Sequence, residues 1–286
     1  VGGIPANKRL FGEVLETDHL AHTVLPENVF TRGMPSHGAH MADELETLVQ
    51  TYGADTIAAV IIEPMGGSAG VLPPPVGYLQ RLRHLCDEHN ILLIFDEVIT
   101  GFGRCGAMTG SDAFGVVPDI LNVAKQLTNG AVPMGAVIAS TEIHDTFMTH
   151  AGPDYVLEFA HGYTYSAHPV ACAAGLAALD ILVEEDLPDR VAREAPYFEG
   201  LLHDQLRGKP YVSDIRNYGF AGAIKLEAKG DEPLRRPFEV AMAMWERGVL
   251  VRYGGDTIQM APHFVMERAH MDQLVGTLAD CLDTLQ

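Results

Sequence analysis

Three ionisable residues stand where a run of apolar residues stops. Glu63 follows "IAAVII" (57–62), Asp96 follows "ILLIF" (91–95) and Lys125 follows "ILNVA" (120–124). Short apolar runs bounded by turn signals read as buried strands. A carboxylate at the end of such a strand is costly without a partner, so Asp96 calls for something cationic. A desolvated lysine has a lowered pKa, and its free amine forms Schiff bases with carbonyl compounds. A nearby carboxylate can hold a pyridinium nitrogen protonated and make that ring an electron sink. Those are the parts a pyridoxal-phosphate site needs. They are also the parts of a Lys–Asp or Lys–Glu ion pair that only orders the sheet ends, and spacing alone leaves both readings open.

The elements that must position these residues alternate. Strand 57–62 is stopped by Pro64. The stretch 73–90 begins with prolines, which suit a helix's first turn, and then places Leu79, Leu82, Leu85 and Cys86 on one face. Strand 91–95 follows, then short strands within 118–125 and 134–140. Strands alternating with helices predict an α/β fold with a mostly parallel sheet. Ligands of such sheets gather at the carboxyl ends of the strands, where Glu63, Asp96 and Lys125 fall. An Ala- and Gly-rich helix is expected over 166–187 and an amphipathic one over 189–207. Strands are expected at 211–216, 219–227, 249–252 and 257–261, with helices near 234–247 and 267–284. This gives a large domain over 1–184 and a smaller C-terminal α+β domain over 185–286.

A net charge of −19 argues against sequence-independent binding to nucleic acid or to anionic membrane. Cys86, Cys105, Cys172 and Cys281 are dispersed without a CxxC pair, which fits a reducing compartment and a cytoplasmic location. No apolar stretch has the length of a membrane span, and the first residues lack the pattern of a signal peptide. His37 and His40 lie near Asp43 and Glu44, but the segment reads as a polar loop entering a helix, so no metal is expected. Arg104 in "GFGR" reads as a turn-stabilising ion pair.

The segments "LLIFDEVITGFGRCG", "FGVVPDILNVAKQLTNGAVPMGAV" and "HGYTYSAHPVACAAGLAALDI" closely resemble the class III, pyridoxal-phosphate-dependent aminotransferases. "LVRYGGDTIQMAPHF" (250–264) is most similar to the branch containing the β-alanine–pyruvate, or ω-amino acid–pyruvate, transaminases. The resemblance implies the pyridoxal-phosphate-dependent transferase fold of type I and transfer of an amino group from an ω-amino acid or amine to pyruvate. It implies that Lys125 carries the cofactor as a Schiff base and moves the proton. Asp96 would pair with the pyridinium nitrogen, and Val98, two residues on, would pack against the ring. Glu63 would support the site through a hydrogen bond, or serve structure alone. Thr164, just before a helix start, would reach the cofactor phosphate from the neighbouring subunit of a homodimer. Arg252 would bind a substrate carboxylate with its planar fork, and Gln259 would contact substrate.

The sequence departs from the family at Gln126, where Gly or Ala is usual. Its first residues resemble the family's middle, so the part expected to supply a phosphate cup and a stacking aromatic is missing. The alternative is therefore a truncated chain with the fold but an incomplete cofactor site and little activity.

Overall fold

A computed structural model describes residues 8–10, 12, 15–150, 152–153 and 155–285. Helix α1 (Glu44–Tyr52) leads to strand β1 (Ala59–Ile62), helix α2 (Tyr78–His89) and strand β2 (Leu92–Asp96). A short helix α3 (Gly110–Phe114), strand β3 (Ile120–Val123), strand β4 (Ala136–Ala139) and helix α4 (Thr141–Thr149) follow. β1, β2 and β3 run parallel in that order, and β4 pairs antiparallel with β3. Parallel neighbours need a crossover, which α2 supplies between β1 and β2. The 124–135 connection contains no such helix and brings the chain straight back.

Helix α2 begins three residues after the last of Pro73, Pro74 and Pro75 and ends at Asn90, whose φ of 54° is a left-handed stop. It buries the expected stripe of Leu79, Leu82, Leu85 and Cys86. Asp119 accepts from both Arg83 (2.8 Å) and the Leu93 amide (2.7 Å), which ties this helix to the start of β2.

Helix α5 (Pro169–Glu184) and helix α6 (Leu187–Leu206) lead into β5 (Val212–Tyr218), β6 (Ala221–Leu226), helix α7 (Arg235–Glu246), β7 (Arg252–Gly254), β8 (Thr257–Met260) and helix α8 (Arg268–Asp283). These strands form a second, antiparallel sheet in the order β5-β6-β8-β7. Phe198, Phe220, Ile224, Val240, Met244, Ile258 and Leu278 form its core with the three helices α6, α7 and α8. β7 starts later than the apolar run at 249–252 suggests, because the Val249 amide bonds back to the Met244 carbonyl at the end of α7. Strand alternation then sorts the faces. Ile224, Ile258 and Tyr253 share one row, while Ala223, Gln259 and Arg252 share the next, on the opposite face.

Candidate active site

The carboxyl ends of β1, β2 and β3 bring Glu63, Asp96 and Lys125 to one edge of the first sheet. Asp96 is the last residue of β2, in register with Asn122 of β3, and both it and Glu63 are half-buried. Two residues beyond β3, Lys125 opens a 3₁₀ turn with φ of 47°, in the left-handed region that side chains other than glycine rarely occupy. Backbone bonds from Leu127 to Ala124 and from Asn129 to Gln126 hold that turn, and the Thr128 hydroxyl closes it on the Val132 carbonyl at 2.6 Å. Strain of this kind persists only where surroundings enforce it and concentrates at functional positions. Gly175 of α5 packs against Met134 and the Leu127 carbonyl, so the small-residue helix backs the lysine turn.

A cavity of about 930 Å³ opens between the two sheets. Lys125, Gln126 and Val98 line it from the first sheet, and Arg252 and Gln259 from the second. Lys125 is exposed to this cavity, yet loss of water against its walls lowers the amine's pKa. Asp96 and Glu63 oppose that shift, while Arg252 adds to it. Glu63 is raised by burial and by the like charge of Asp96, against the Gly67 amide and Lys125, which lower it. These four groups therefore form one electrostatic cluster. Asp96 and Glu63 do not line the cavity. The Asp96 carboxylate accepts from the Val98 amide at 3.1 Å, and Glu63 accepts from the Gly67 amide at 2.9 Å.

Other expected residues fall differently. Val98 reaches the cavity from the turn after β2 rather than from the strand itself, so strand periodicity is not what aims it. Thr164 is exposed, does not line the cavity, and stands a full turn before α5, which starts at Pro169. Its place ahead of the first helical turn removes the argument from that helix's free N–H groups. Gln259 lines the cavity but is buried, and its amide donates to the Ser68 carbonyl (3.1 Å) and the Thr257 hydroxyl (3.2 Å). Arg104 has no carboxylate partner among the described residues. It donates to the Phe220 and Pro262 carbonyls and lies over the Phe264 ring, joining the cavity's two sides.

Two features escaped the sequence. The acid wholly enclosed at the end of β2 is Glu97, not Asp96. It accepts from the Gly110 and Ser111 amides at the start of α3 and from the Thr100 hydroxyl. The second is the 66–72 loop, which meets both sheets. The polar segment with His37 and His40 gathers no ligand cluster among the described residues, where Asp43 instead pairs with Arg81. Glu46, Glu88 and His89 do come together on α1 and α2, and Glu46 and His89 already bond each other at 3.0 Å. Their spacing of over forty positions hides this from the sequence.

Comparison with known proteins identifies the family. The family described as aminotransferase class-III matches residues 5–282. A beta-alanine–pyruvate aminotransferase of Pseudomonas aeruginosa is 57% identical over 99% of this chain and 63% of its own length. An omega-amino acid–pyruvate aminotransferase of Pseudomonas putida is 54% identical over 100% of this chain and 64% of its own. The chain thus spans less than two thirds of either relative. Among solved structures, an amine transaminase from an uncultivated Pseudomonas species in PLP-bound form superposes with a TM-score of 0.80 at 40% identity, covering 85% of this chain and 56% of that one.

Proposed function

This chain belongs to the class-III aminotransferases, and from that premise we propose that it binds pyridoxal 5'-phosphate and transfers an amino group from an ω-amino acid or amine to pyruvate. The observation that carries the reading is the Lys125 amine, held on left-handed backbone in the cavity, lowered in pKa, and coupled to Asp96 and Glu63 on one side and Arg252 on the other. The donor set fits the cofactor: a nucleophilic amine in the cavity, a carboxylate at the neighbouring strand end that acts on that amine, and an apolar side chain on the cavity wall.

Bound there, the pyridinium ring supplies an electron sink for the carbon that loses its proton. Lys125, whose amine pKa is lowered by loss of water, would attach the cofactor and carry the proton away from and back to the reacting carbon. Asp96 would hold a positive charge at the ring nitrogen, and Val98 would pack against the ring. Glu63, already tied to Gly67, supports the lysine electrostatically. Arg252 is exposed and free of ion pairs among the described residues, so its fork is open to a substrate carboxylate. Gln259 lies beside it in register. Thr164 serves the phosphate of a second subunit in a homodimer, a role consistent with its exposure here. Residues 1–184 form the cofactor-binding domain and 185–286 the small domain. Four unpaired cysteines fit a cytoplasmic enzyme, and among the described residues no helix is long and apolar enough to cross a membrane.

Turnover of β-alanine with pyruvate by the purified chain, lost in Lys125→Ala, tests this reading. Failure of the intact chain to bind the cofactor would favour the fold without the activity. Arg252→Ala is expected to weaken carboxylate donors far more than simple amines; equal losses would remove its assigned role.

A further inference from the structure

We propose that Gln259 is a positioning residue that latches the 66–72 loop to the hairpin carrying Arg252, coupling the carboxylate-binding arginine to the Glu63 side of the cavity. Its functional half rests on the transaminase reading; the latch itself does not. Gln259 is only 8% exposed, and its amide nitrogen has two hydrogens. One acceptor is the Ser68 carbonyl at 3.1 Å and the other the Thr257 hydroxyl at 3.2 Å. Thr257 in turn donates to the Gly254 carbonyl at 2.9 Å, in the strand that begins at Arg252. Gln259 and Arg252 are direct cross-strand partners.

The loop is held from its other side as well. The Gly67 amide donates to Glu63 at 2.9 Å, and Gly66 and Leu72 exchange backbone bonds. A Cβ at Gly67 would lie 2.4 Å from the Ile99 side chain, and one at Gly70, where φ is +108°, would lie 3.2 Å from Thr257. The loop is thus pressed between the first sheet's turn and the second sheet's strand. A hydrogen-bonded path runs from Glu63 through the loop to Gln259, Thr257 and Gly254.

This arrangement changes what Gln259 can do for a substrate. Both of its donors are occupied, and its amide oxygen is an acceptor that a carboxylate repels. A carboxylate bound at Arg252 gains a bond from Gln259 only when the Ser68 carbonyl or the Thr257 hydroxyl gives one up. An uncharged amine leaves the latch closed.

Hydrogen exchange read by mass spectrometry on the whole chain, without substrate, tests the latch. Gln259→Leu is expected to speed exchange across 66–72 about fivefold, the ratio for losing one hydrogen bond of about 1 kcal/mol net. Exchange in β5 should stay unchanged as a control for folding. Gln259→Glu, which sets an acceptor against the Ser68 carbonyl at the same volume, is expected to do the same. Unchanged exchange at 66–72 in a folded variant overturns the proposal. In turnover, the latch requires Gln259→Leu to lower kcat with a donor that has no carboxylate, besides raising KM for one that has. An effect confined to the KM of carboxylate substrates means direct contact alone and also overturns it. A wild-type chain without turnover defeats the transaminase reading, while the exchange result still decides the latch.

Discussion

Around the second sheet, β8 is buried along its whole length, and Phe198, Phe220, Ile224 and Met244 are fully enclosed by α6, α7 and α8. At the far edge of the first sheet, β4 leaves Val137 and Ile138 70% and 50% exposed, and α5 leaves Leu176 and Val183 64% and 67% exposed. The core around the second sheet is closed by its own chain, although Phe238, Met242 and Trp245 of α7 are exposed; the region of the first sheet leaves large apolar side chains bare on both a strand and a helix. The cavity lies where the closed region meets the first sheet. Its arginine side rests on a finished core, and its lysine side is backed by α5, the helix whose outer face is bare. This asymmetry separates the residues that hold the fold from those proposed to serve a second subunit and a cofactor.

The largest effect should come from breaking the closed region. Phe198→Ala removes a wholly buried ring that meets Phe220 and is expected to cost about 3–5 kcal/mol in urea unfolding. Leu176→Ala, on the open face, should cost less than about 0.5 kcal/mol in a monomer. Similar costs at both sites would erase the distinction. The adjacent acids at the end of β2 offer the same contrast within two residues. Glu97→Ala leaves the Gly110 and Ser111 amides without their acceptor, for a loss of about 2–4 kcal/mol, whereas Asp96→Ala should cost under about 1 kcal/mol and act on cofactor binding instead.

A pH series sharpens this. Burial raises the Glu97 carboxyl above its ordinary value of 4.5, against the hydrogen bonds that lower it. In the window just above that value, the folded state holds more protons than the unfolded one. Stability from this group is therefore fully present at lower pH and lost as pH rises through the folded pKa. The urea midpoint of wild type minus that of Glu97→Gln should fall across the window; a rise would reverse the assignment. The smallest effect is on Lys125 reactivity. Asp96 raises the Lys125 pKa and Arg252 lowers it. Labelling of Lys125 by an amine reagent at neutral pH should be faster in Asp96→Asn and slower in Arg252→Gln, with the opposite order contradicting the coupling.

Much of this was legible in the residues. Apolar runs ending at Glu63, Asp96 and Lys125 marked the sheet edge, and the stripe from Leu79 to Cys86 marked α2. The seven-residue step from Arg252 to Gln259 spans a hairpin and makes them neighbours. Where reading failed, the cause was long-range or conformational. Nothing local tells which of Asp96 and Glu97 turns inward, because the amides that receive Glu97 lie thirteen and fourteen residues on and depend on how the turn closes. Val98 stands two residues past Asp96, but the strand stops at Asp96, so a turn that no periodicity reveals aims its side chain at the cavity. The occupied donors of Gln259 depend on Ser68, 191 positions away, beyond any periodicity. The antiparallel return of β4 could have been foreseen, since no crossover helix fits between residues 124 and 135.

Among the described lysines, Lys125 is the one whose pKa burial lowers, and it is proposed to bond a carbonyl. The direct test is to add pyridoxal 5'-phosphate to the intact chain, reduce with borohydride and map the adduct by peptide mass spectrometry. The account expects modification at Lys125 at stoichiometric cofactor, weakened in Asp96→Ala. Adducts spread over Lys209, Lys225 and Lys229, with Lys125 no more modified than they are, would contradict it.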